Sequence, residues 1–303
     1  MKELNYEKVF NTLVEETANY VTSNGLKAMV LGISGGIDST VVAAICHEVS
    51  KKTDIPLIGR SLPIKNKNDE FATSVHVGEA FCNEFSVYRL ERSYRAALFD
   101  ACADAGDVNM ANSYYLDELE EMPSRTPIAN GNLQARCRMM YLYDIASRHK
   151  GLVMSTDNQT EYQLGFWTIH GDVGDFDPIQ DLWKTEVYRL ARWICDYYTM
   201  MSDGEDVDKI QAIRESVALT PTDGLGISNS DLEQIGARTY YDVDRVLQTL
   251  ICKASPENDK LQDSLEQELG REVVHKIIKR HTASEFKRKK APIYIPRKEY
   301  END

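Results

Sequence analysis

The sequence runs to 303 residues, with 48 acidic and 35 basic side chains, a formal net charge of −13 and six cysteines. The acidic balance argues against attachment to nucleic acid, which clustered Lys and Arg drive, and no apolar run approaches the ~20 residues a membrane span needs. The cysteines are scattered with no C-x-x-C pair and the opening "MKELNYEKVF" has no signal-peptide core, so the expectation is a cytoplasmic protein with reduced thiols and no membrane attachment.

Residues 3–24 place Phe10, Leu13, Thr17, Tyr20 and Val21 at helical spacing before Asn24-Gly25, predicting an amphipathic helix. "LKAMVLGIS" (26–34) is a continuous apolar run, as in a strand buried on both faces. The stretch from Asp38 to Lys52 reads as a helix, acidic at its start and basic at its end. "IPLIGRSLP" (55–63) is a second strand candidate, followed by a helix at 68–84, a strand at 85–90, a helix at 133–149 and a strand at 151–156. This alternation predicts an α/β fold with a doubly wound, mainly parallel sheet flanked by helices. Residues 100–124 are acidic and read as an exposed helix or excursion. Residues 202–230, rich in Gly, Ser, Asp and Pro, read as a mobile active-site loop. The basic residues between Lys276 and Arg297 suit a solvated face, a polyanion contact or a site for a phosphorylated small molecule.

"LGISGGIDST" (31–40) carries the chemistry. It lacks the lysine of a Walker A loop and the spacing of a Rossmann loop. What it offers is a strand, Ser34-Gly35-Gly36, and the start of a helix, which aims backbone N–H groups at one anion. Asp38 would repel a bare phosphate, so its presence implies an intervening divalent cation.

S-G-G-x-D-S after a buried strand resembles the pyrophosphate loop of the ATP pyrophosphatase superfamily, whose fold is of the adenine-nucleotide alpha-hydrolase type. Four further blocks follow in order: "NLQARCRMMYLYDIA" (132–146), "STDNQTEYQLGFWTIHGDVGDFDPIQDLWKTEVYRLA" (155–191), "LTPTDGL" (219–225) and "SEFKRKKAPI" (284–293). Together they resemble the ammonia-dependent NAD synthetase family, as a single domain over residues 1–303 with no glutaminase domain. The resemblance implies a ligase of NAD biosynthesis that amidates deamido-NAD with ammonia through an acyl-adenylate, releasing AMP and pyrophosphate. It implies a homodimer, with Mg2+ as cofactor and ATP as co-substrate. ATP contacts are implied for Gly32, Ile33, Ser34, Gly35, Gly36, Asp38, Ser39, Thr156, Lys184 and Thr222, and Mg2+ ligation for Asp38 and Glu161. Arg136, Asp175 and Lys287 are implied to contact the dinucleotide, and Lys184 and Asp175 to serve catalysis, Asp175 as an ammonium-binding or proton-accepting group.

Three positions depart from the family pattern. Ile169 stands where relatives carry a substrate-binding lysine, Phe286 where they carry a histidine, and Ser155 replaces a glycine. The alternative is therefore a ligase with the same ATP machinery acting on a different carboxylate. A tRNA-modifying pyrophosphatase would need a broad basic surface, and a non-catalytic nucleotide sensor would leave Lys184 and Thr222 unexplained. Trp167, Phe166 and Trp183 read as core aromatics.

Overall fold

The run at 26–34 becomes the centre of the sheet because alternate side chains can serve two cores. In the computed structural model, which describes residues 4–201, 204–220, 231–251 and 257–289, β1 (Met29–Gly32) sends Met29 and Leu31 into one cluster and Val30 into the other. β2 (Leu57–Ser61), β3 (Glu84–Val87) and β4 (Leu152–Val153) complete a parallel sheet in the order β3-β2-β1-β4. Met29 lies in register with Leu57 on one side and Leu152 on the other.

One face is covered by α1 (Tyr6–Ser23), α2 (Ile37–Thr53), α3 (Asn68–Phe81), α8 (Lys184–Met201) and α9 (Val207–Ala218). The other carries α4 (Glu91–Asp104), α5 (Leu116–Glu120) and α6 (Pro127–His149), packed through Leu98, Leu119, Leu142 and Ile145. A third cluster joins α7 (Gln159–Leu164) to α10 (Asp231–Ile235), α11 (Tyr240–Ile251), α12 (Glu257–Leu269) and α13 (Arg271–Ala283) through Leu164, Val243, Leu247, Val274 and Ile277.

The chain winds outward from β1 to β3 and then returns to place β4 on the far side of β1. That reversal opens a crevice at the carboxyl ends of β1 and β4, where open parallel sheets bind ligands. The glycine turn follows β1 and Thr156 follows β4, so both expected ATP contacts reach this point.

Two segments differ from expectation. Residues 207–218 of the expected loop form α9, whose Ala212, Ile213 and Ser216 are buried. Ser216 Oγ meets Thr40 Oγ1 of α2 at 2.7 Å, so the polar composition conceals one apolar stripe. The remainder of that loop at 221–230, including Thr222, lies outside the described residues. In the acidic stretch, α4 continues to Asp104 and α5 supplies Leu119 to the core, so the excursion is partly anchored. Among the described residues no helix is long and apolar enough to cross a membrane.

Candidate active site

Gly35 turns the chain between β1 and α2 at φ +86°, and a Cβ there would stand 2.6 Å from Glu70 O and 2.8 Å from Ser74 N. Only glycine fits such a left-handed, crowded position. Gly36 then caps α2 without any side-chain hydrogen bond to the helix. The first-turn N–H groups are thus open to an anion. Ser34 Oγ and Ser39 Oγ lie 3.0 Å apart beside them.

A cleft of about 470 Å3 extends from this turn, lined by Gly32, Ile33, Ser34, Asp38 and Ser39 at one end and by Phe166, Trp167, Thr168 and Lys287 at the other. Thr156, Asp157, Glu161, Asp172 and Arg138 line it between them. Lys184, at the first turn of α8, is 3% exposed. Its Nζ donates to Asp38 Oδ2 at 2.5 Å and to Glu161 Oε1 at 2.9 Å.

Local sequence explains this convergence. Asn158-Gln159-Thr160-Glu161 is a capping box: Asn158 Oδ1 accepts from Glu161 N while Glu161 Oε2 accepts from Asn158 N. The same Asn158 side chain donates to Asp38 Oδ1 at 2.8 Å. Asn158 is fully buried, and it holds Asp38 and Glu161 on either side of the lysine. The N-x-x-E spacing could have revealed it.

Burial pushes the Glu161 carboxyl up, against the downward pull of the Lys184 ammonium. Burial also disfavours charge on Lys184, but Asp38 and Glu161 outweigh it and hold its pKa well above the usual range. The Lys184 ammonium thus meets Asp38 in the first turn of α2, directly after the glycine turn. Two carboxylates already gathered on one positive charge are a donor set that suits Mg2+, which takes one or two carboxylates and completes its shell with phosphates and water. Among the described residues no cluster of three or more His, Cys, Asp or Glu forms a metal cage.

The substrate end is arranged differently from expectation. Asp175 does not line the cleft; its carboxylate accepts from Tyr143 Oη at 2.8 Å and from Val153 N at 2.9 Å, pinning the end of β4. Asp172 stands in the cleft wall instead, accepting from Thr168 N at 2.7 Å, and burial raises its carboxyl to about 6. Arg136 faces outward and donates to Ile169 O at 3.2 Å, while Arg138, two residues on and across the helix, lines the cleft and holds Leu62 O and Asn66 Oδ1. Lys287 does reach the cleft, yet its Nζ donates to the carbonyls of Gly165 and Trp167. Trp167 lines the cleft, and Phe166 both lines it and, like Trp183, packs against the third cluster. Trp167 Nε1 is a buried donor with no hydrogen-bond partner. Neither Ile169 nor Phe286 lines the cleft, and Phe286 is 57% exposed.

Comparison with known proteins places nearly the whole chain in one family. The NAD synthase family model matches residues 9–291. The chain is 28% identical over 288 residues to an NH3-dependent NAD+ synthetase of Fusobacterium nucleatum, covering 95% of each chain. It is also 28% identical over 290 residues to a glutamine-dependent NAD+ synthetase of Aquifex aeolicus, where it spans 95% of its own length and 45% of the relative's. In fold it resembles an NMN synthetase of Francisella tularensis with a TM-score of 0.71 at 23% identity, covering 97% of this chain and all of that one. A match that runs from the first helix to the last basic turn is one of whole folds rather than of a single loop, and the chain belongs to the NAD synthase family.

Proposed function

We propose that this chain converts deamido-NAD to NAD with ammonia, ATP being cleaved to AMP and pyrophosphate. The observation that carries the reading is Lys184, buried beside the capless start of α2 and shared by Asp38 and Glu161. A nicotinate carboxylate oxygen attacks the α-phosphorus, the bond to the β-phosphate oxygen breaks, and pyrophosphate leaves. The N–H groups after Gly36 and the hydroxyls of Ser34 and Ser39 hold the departing anion, and Lys184 offsets charge growing on the reacting phosphoryl group. Asp38 and Glu161 would hold Mg2+, which when bound neutralises the phosphates. Thr156 contacts ATP at the end of β4, and Thr222 is proposed as a further ATP contact.

Ammonia then attacks the acyl carbon and AMP departs with the former carboxylate oxygen. The proton that nitrogen loses needs an acceptor. Asp172, raised to about 6 and lining the cleft, takes the part that the sequence offered to Asp175. The aromatic walls Phe166 and Trp167 shield the adenylate from water. Arg138 serves the substrate end in place of the outward-facing Arg136.

A single domain using ammonia directly is supported by the end-to-end match to the Fusobacterium relative. A homodimer is supported by the exposed α6 face, where Met140 is 65% and Tyr143 39% exposed. Sedimentation as a monomer at micromolar concentration would remove the dimer. The second reading, a different carboxylate on the same ATP machinery, draws on Ile169 and Phe286 standing outside the cleft. One experiment separates the two: incubation with ATP, Mg2+, ammonium and deamido-NAD, followed by chromatography. NAD, AMP and pyrophosphate in equal amounts are expected, with glutamine unable to replace ammonium. ATP binding without NAD would transfer the reading to another carboxylate.

A further inference from the structure

Asp244 is a carboxylate with no access to solvent, and it lies outside every block that pointed to the site. It stands on α11, whose apolar face belongs to the third cluster. Its Oδ1 accepts from Thr160 Oγ1 at 2.5 Å, and its Oδ2 accepts from Thr185 N at 3.0 Å and Thr185 Oγ1 at 2.7 Å. Thr160 Oγ1 in turn accepts from Lys184 N at 2.9 Å. One buried carboxylate thus ties together the residue before Glu161 and the residue after Lys184. One helical turn earlier on α11, the ring of Tyr240 lies 5.5 Å from Lys184 Nζ, and residues four apart share a helix face.

We propose that Asp244 and Tyr240 are positioning residues for Lys184, fixing its backbone and its ammonium respectively. Burying a carboxylate is costly unless every oxygen is bonded, and this one spends its three bonds on the two segments that carry Lys184 and Glu161. A carboxylate serving only to stop a helix would sit at its exposed end; this one couples the first turn of α8 to α7. Tyr240 supplies a π face, which attracts an ammonium without competing for the carboxylates. Helix α11 therefore acts on the ATP end of the cleft through this pair of side chains. This inference rests on the reading that Lys184 contacts ATP phosphates.

The test is a double-mutant cycle on ATP affinity, by calorimetry with Mg2+, in wild type, Asp244→Asn, Lys184→Ala and the double variant. Asp244→Asn is expected to weaken ATP binding about tenfold in wild type and less than about twofold when Lys184 is absent. Equal weakening in both backgrounds, or none in either, overturns the proposal, because a merely structural role would not depend on Lys184. Should Asp244→Asn fail to fold, Thr185→Val carries the same cycle with about a threefold effect expected. Tyr240→Leu should follow the same dependence on Lys184, with Tyr240→Phe near wild type. Affinity for ATP is read without turnover, so failure of the amidation reading would show in the product assay while the cycle still gives its answer.

Discussion

The two ends of the cleft are built by opposite means. At the ATP end, functional side chains hold one another: Lys184 bridges Asp38 and Glu161, and Asn158 steadies both. At the substrate end, side chains hold backbone: Lys287 grips the carbonyls of Gly165 and Trp167, Arg138 grips Leu62 O, and Asp172 takes Thr168 N. A network of mutual charges tolerates no single loss, since removing one partner leaves another buried and unpaired. Groups that hold backbone set the shape of the pocket instead.

The sharpest break should come at the ATP end. Lys184→Ala is expected to lower kcat at least ~10³-fold, the scale of losing a pre-placed charge at the reacting group, as measured by pyrophosphate release. Next in size is Gly35→Ala, which forces a Cβ against Glu70 O at a positive φ. It should cost about 1–3 kcal/mol of stability and abolish detectable ATP binding, read by urea unfolding and calorimetry.

The substrate end should respond more gently and in KM. Lys287→Met frees the carbonyls of Gly165 and Trp167. A rise of about tenfold in KM for deamido-NAD, with KM for ATP nearly unchanged, is the expected pattern for lost positioning. An equal rise in both would erase the contrast between the ends. Asp172→Asn and Asp175→Asn sharpen it further. The first should lower kcat by about 10²-fold if it accepts the proton, and the second should stay within about threefold of wild type, since it pins β4 outside the cleft.

The smallest effect concerns pH. Burial raises the Asp177 carboxyl from 3.8 to about 7, and its Oδ2 has no partner. A carboxyl whose folded pKa is raised favours the fold while protonated, and that contribution is lost as pH climbs from about 4 through about 7. Asp177→Asn should therefore raise Tm at pH 8 by a few degrees and leave it unchanged at pH 4, by scanning calorimetry. A lower Tm at pH 8 would show that the carboxylate has a stabilising partner.

How much of this the sequence disclosed follows the same division. The glycine turn was legible because a tight turn before a helix needs specific residues in consecutive positions, and Asp38, Thr156, Glu161 and Lys184 fell into spaced blocks around it. The central strand β1 was legible because burial on two faces demands an unbroken apolar run. Lost were residues whose value depends on long-range packing. The places of Asp172 and Arg138 in the cleft wall and the burial of Asp244 follow from packing and carry no local signal of their own. Helix α9 was misread as loop because its three buried residues sit among acidic and small ones.

The claim most open to contradiction is that the substrate's own carboxylate attacks ATP beside Lys184. Deamido-NAD labelled with ¹⁸O in both nicotinate carboxylate oxygens, turned over with ATP and ammonium, tests it by mass spectrometry. One labelled oxygen in AMP and one in the carboxamide of NAD are expected, with none in pyrophosphate. AMP free of label would mean that the carboxylate never bonded to the α-phosphorus, and the assignment of the cleft would fall.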